Sequence, residues 1–169
     1  MGTTICINSW INSIEPAEWV SLIGIIVNSL LAYWIVKTIQ NRLTNKRVLK
    51  DHFINEIKDI RNDYKSYLNK LYSNQITGKK AIPWFKLMYI KVDDIMSLID
   101  LKYKINKQLL NPYQIELREL ITENSDFINQ FQSDTPIQFS EESKSKFIIF
   151  QQKHNHLFNE IIIRINDSD

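Results

Sequence analysis

The sequence predicts an all-α chain, a single N-terminal transmembrane helix that continues into a cytoplasmic helical bundle of about four helices. Three observations predict it. Residues 19–36 form an unbroken run without a charged side chain. No Gly or Pro occurs between Gly24 and Gly78, so a helix begun in that run can continue well beyond it. Past the run, apolar residues recur at intervals of three and four, and no strand alternation of useful length appears.

The apolar element covers residues 17–36, from Ala17 to Val36. About 20 apolar residues of helix cross the ~30 Å hydrocarbon core of a bilayer. A helix in the core of a soluble protein normally keeps a polar face, and this segment hardly has one. Trp19 at one end and Tyr33 and Trp34 at the other occupy the interfacial positions that aromatic side chains favour. Pro16 suits the first turn.

Charge sets the expected orientation. Residues 1–16, read as a short extracytoplasmic segment, contain no Lys or Arg. Lys37, Arg42, Lys46, Arg47 and Lys50 follow the span before the next acidic residue, Asp51. The positive-inside rule then places the N-terminus outside and residues 37–169 in the cytoplasm. The five cations form a membrane-surface cluster, each favoured by ~1 kcal/mol next to anionic headgroups. With no basic n-region and no small-residue cleavage site, the segment is expected to remain as an anchor.

Composition narrows the function. A net charge of +2 does not suggest a nucleic-acid binder. The single cysteine, Cys6, excludes an internal disulfide and a cysteine-based zinc site, and its outer position allows an intermolecular disulfide. The 133 residues after Val36 (169 − 36) suffice for one domain with its own core.

In chain order, the first helix runs from Glu18 to about Tyr72, ~80 Å at 1.5 Å per residue. Its cytoplasmic seam is Ile39, Leu43, Leu49, Phe53, Ile57, Ile60, Tyr64, Leu68 and Leu71, with Thr44-Asn45 the place for a break. Ser73 to Ile82 reads as a loop containing Gly78 and the Lys79-Lys80 pair. Pro83 opens a second helix through about Tyr103, bearing Trp84, Leu87, Ile90, Ile95, Leu98 and Ile99. Asn111 as cap and Pro112 as first helical residue start a third, extending to about Gln132 through Ile115, Leu117, Leu120, Ile121, Phe127, Ile128 and Phe131. Ser133 to Pro136 breaks it. Ser140, with Glu141 and Glu142 at the favourable dipole end, caps a fourth cytoplasmic helix carrying Phe147, Phe150, Leu157, Phe158, Ile161, Ile162 and Ile165.

Three constellations are candidates for function. Ser21, Gly24, Asn28 and Ala32, spaced three, four and four, make a small and polar seam along the apolar helix. Such a seam lets helices approach closely or lines a water-filled lumen. Arg47 and His52, with four residues between them, fit the R-x4-6-H pattern of HEPN ribonucleases, in which Arg steadies phosphate charge and His does acid–base work. On a regular helix five residues turn about 500°, leaving the pair about 140° apart. HEPN motifs commonly place a polar residue after the Arg, and Val48 stands there, so no ribonuclease activity is expected. His154, His156 and Glu160 form the third group, with a His156–Glu160 pair at i,i+4 and too few ligands for a metal. Neither a metal nor a cofactor is expected.

The outer N-terminus, one apolar helix, a helical cytoplasmic domain and the Arg47–His52 spacing together resemble the small membrane accessory proteins of type VI-B CRISPR systems. The resemblance implies that residues 37–169 form a HEPN-like domain whose motif is structural. It also implies a ring-shaped homo-oligomer, an octamer, that makes a pore through the bacterial inner membrane. Such a protein is linked in function to an RNA-guided RNase and strengthens RNA-targeted antiphage immunity, with RNA binding left open. The alternatives are a membrane-anchored HEPN-type ribonuclease and, by resemblance to type III CRISPR membrane effectors, an effector gated by a cyclic oligonucleotide.

Overall fold

The computed structural model describes residues 16–168. The expected extracytoplasmic segment up to Glu15, including Cys6, lies outside the described residues. The ordered elements are helical: α1 (Pro16–Tyr72), α2 (Gly78–Tyr103), a 3-10 turn (Lys107–Leu110), α3 (Asn111–Thr122), α4 (Ser125–Gln130) and α5 (Glu141–Asp167). Among the described residues there is no strand, as the patterning predicts. The chain divides into two compact units, the first ending at Val48 and the second beginning at Leu49.

The first unit is the N-terminal part of α1. It passes through Thr44-Asn45 as helix, because nothing there removes a backbone donor or competes strongly for one. Ile39 and Leu43, expected to belong to the cytoplasmic seam, are exposed.

The second unit builds its core on the rest of α1. Phe53, Ile57, Ile60, Tyr64, Leu68 and Leu71 are buried on one face of the helix, as the three- and four-residue spacing requires. Tyr67, adjacent to this seam, is buried as well. Tyr64 lies at the centre, edge-on to Trp84 at 5.5 Å and to Tyr113 at 4.9 Å between ring centroids. From α5 the core receives Phe147, Phe150, Phe158, Ile161 and Ile165.

Helix α2 departs from expectation twice. It starts at Gly78, so Pro83 lies inside it rather than opening it. Pro83 removes one intrahelical bond near the start, while Ala81 and Trp84 anchor the first turns in the core. The core side is also only partly the expected one: Ile99 is buried and Trp84 and Ile95 pack against the core, but Met88, Val92 and Met96 are buried as well, whereas Leu87, Ile90 and Leu98 are exposed. The helix ends at Lys104, whose φ of 58° gives a left-handed cap and whose N–H donates to the Asp100 carbonyl.

The expected third helix is two helices. The Asn124 side chain accepts from the Asp126 N–H at 2.8 Å, which diverts the backbone from the α-helical ladder and starts α4. Asn111 does not cap α3, whose N-cap position is Leu110 without a side-chain bond; a side-chain cap occurs instead at the 3-10 turn, where Asn106 accepts from the Gln108 N–H. Pro112 still falls in the first turn of α3, where a missing N–H costs nothing. Ser140 caps α5 as expected, its side chain accepting from the Ser143 N–H.

Candidate functional site

The first unit carries the apolar segment of α1. Within α1 the most apolar 18-residue window has a mean hydropathy of 2.0 and is 0% buried. It is long and apolar enough to cross a membrane. On the predicted seam, Ser21, Asn28 and Ala32 are exposed and Gly24 partly so. A Cβ added at Gly24 would meet nothing within 4 Å. The Ser21 hydroxyl donates to the Ala17 carbonyl at 3.1 Å, so its polarity is satisfied within the helix.

The basic cluster is mostly open. Lys37, Arg42, Lys46 and Arg47 are exposed, with the Lys37 ammonium 5.6 Å from the Tyr33 ring centroid. Lys50 has a different environment. Its ammonium donates to the carbonyls of Asn166 and Ser168, at and just beyond the end of α5, where a cation suits the negative helix terminus.

Every residue from Arg47 to His52 is helical, Arg47 in the first unit and His52 in the second. His52 is exposed and its ring lies 5.5 Å from that of Phe53.

The third group is rearranged. Glu160 pairs with Arg164 at 2.6 Å, and His156 Nδ1 lies 3.0 Å from the Lys153 carbonyl, so the expected His156–Glu160 pair is not formed. His154 is 6% exposed, on the buried stripe between Phe150 and Phe158, with Nε2 2.7 Å from Glu116. Hydrogen bonding from Lys153, and then from His154, holds the Glu116 carboxyl below its ordinary range. No cluster of three or more metal-ligating side chains occurs among the described residues.

Sequence reasoning missed a groove of the second unit with a volume of ≈ 560 Å³. Ile82, Phe85, Tyr89 and Ile90 of α2 and Ile115 of α3 form its apolar walls, Tyr64 and Gln114 contribute polar groups, and Lys86 and Arg118 bring positive charge. Gln114 donates from Nε2 to the Tyr64 hydroxyl at 3.0 Å. Burial pushes the Tyr64 phenol up to about 12, against a smaller opposing effect of that bond. The available signal was Gln114 itself, a polar residue within the apolar stripe of Tyr113, Leu117 and Ile121.

No protein-family model, curated protein or solved structure matches the chain.

Proposed function

We propose that this chain is a single-span protein of the bacterial inner membrane, with its N-terminus outside and its helical unit in the cytoplasm. Copies assemble into a ring that opens a pore during antiviral defence. One observation carries the membrane assignment: the apolar part of α1 is 0% buried by the rest of the chain. In water such a surface far exceeds the apolar patches of soluble monomers, whereas lipid solvates it. The orientation rests on the exposed Lys37, Arg42, Lys46 and Arg47 after the span.

Assembly draws support from two features. Leu87, Leu98 and Leu101 stand exposed along one face of α2, an apolar surplus suited to a second copy. Asn28 brings an amide to a lipid-depth position where a neighbouring helix or lumen water would satisfy it. The pore and the link to an RNA-guided RNase rest on the resemblance to type VI-B CRISPR accessory proteins.

Two measurements test this. A reporter active only outside the cytoplasm, fused after Asp169, is expected to be silent; a strong signal overturns the orientation. Cells carrying the chain and its RNA-guided RNase are expected to depolarise on phage challenge, and the purified oligomer to leak ions from liposomes. Intact potential in cells together with sealed liposomes would end the pore reading.

A further inference from the structure

We propose that the groove formed by α1, α2 and α3 in the second unit binds an anionic amphiphile, an apolar chain or ring system ending in a carboxylate or phosphate. The site lies wholly within the helical unit and does not rest on the membrane reading.

Size and walls suit a small molecule. A volume of ≈ 560 Å³ falls within the range of ligand pockets, and Ile82, Phe85, Ile90 and Ile115 provide the apolar contact. Two polar side chains stand among these apolar walls. Tyr64 is 2% exposed and Gln114 8% exposed, yet both line the groove. Their mutual hydrogen bond uses one donor of Gln114 and one lone pair of Tyr64. No second side-chain hydrogen bond of Tyr64 or Gln114 is formed among the described residues.

Charge supplies the sign of the ligand. Lys86 and Arg118 are the charged residues of the lining, and no carboxylate shares it with them. The nearest acid to Arg118 is Glu119 at 3.8 Å, a long contact between two exposed side chains. An anionic head can therefore meet Arg118 and Lys86 at the solvent side while the apolar body enters the groove.

The test uses the full chain in phosphatidylcholine nanodiscs with two photoreactive probes. One is a free palmitate analogue bearing a diazirine. The other is phosphatidylglycerol carrying the same chain. Peptide mapping is expected to place the label within residues 82–90 or 114–118, with excess oleate reducing it by roughly tenfold. The double substitution Lys86→Glu, Arg118→Glu is expected to reduce it comparably while leaving helical circular dichroism unchanged. Should that variant lose helix, Ile90→Trp, which fills the groove from an exposed position, decides instead. Labelling by the free acid assigns a soluble ligand; labelling by the phospholipid alone assigns membrane lipid. The proposal falls if neither probe marks these segments, if the label survives charge reversal or groove filling, or if the segments crosslink only to another copy of the chain.

Discussion

The Tyr67 ring lies flat on the Trp84 indole, with centroids 3.6 Å apart and planes 5° apart. The stack joins α1 to α2, but it leaves the Tyr67 hydroxyl buried with no hydrogen-bond partner among the described residues. Burial accordingly raises the Tyr67 phenol well above its ordinary value. Tyr67→Phe keeps the stacked ring and removes the unsatisfied oxygen. It is expected to stabilise the helical unit by about 1 kcal/mol. A lower denaturation midpoint for Tyr67→Phe would show that the hydroxyl is bonded.

Gly78 permits a close approach. A Cβ there would sit 2.7 Å from the Phe131 carbonyl oxygen and 2.8 Å from its Cα, both backbone atoms. Neither can turn aside as a side chain could. Gly78→Ala is expected to cost about 1–3 kcal/mol through overpacking, despite the better helix propensity of Ala. Thermal unfolding checks it, and a stabilised variant would mean that the chain after α4 yields.

Asp126 gives the unit an acid-sensitive joint. Its Oδ2 accepts from the Ser140 N–H at 2.9 Å and from the Ser140 and Ser143 hydroxyls at 2.8 Å each. The Ser140 backbone bond, then those hydroxyls, hold the carboxyl below its ordinary 3.8. A depressed folded value contributes stability that is present above the unfolded value and lost as pH falls through the folded one. Between pH 5 and about 3, Asp126→Asn should lose stability less steeply than the parent. Parallel denaturation curves across that range would remove Asp126 from the acid response.

For the Arg47–His52 pair, purified protein is expected not to cleave single-stranded RNA, and His52→Ala to lower assembly or stability instead. RNA cleavage that disappears with His52 would restore the ribonuclease reading.

Asn28→Leu tests the pore seam. Interhelical hydrogen bonds in membranes average only ~0.6 kcal/mol, so losing this amide should leave oligomer size unchanged. An apolar seam favours dewetting, and conductance is expected to fall. Leakage equal to the parent's would take Asn28 off the conduction path.

The α1 seam from Phe53 onward was legible because one apolar face meets one core at an unbroken helical period. Helix α2 was not, because it carries apolar residues on two faces. Periodicity could not say that Met88, Val92 and Met96 rather than Leu87, Ile90 and Leu98 would turn inward. The break between α3 and α4 hid for a related reason: Phe127 and Phe131 keep the helical spacing across it, and a single Asn124 side chain decides it. At the groove, Tyr64 and Gln114 are 50 residues apart, a pairing that only tertiary packing creates.

The bonds from Lys50 to Asn166 and Ser168 tie the opening of the helical unit to its last residues, across sequence separations of 116 and 118. A ribosome adding ~5–20 residues per second needs about 6–23 s to make that much chain. Throughout this interval residues 17–36 are already synthesised, while the bundle that follows still lacks α5. The unburied apolar segment is therefore present throughout the interval in which the unit cannot yet close, and closure waits for the last helix to be made.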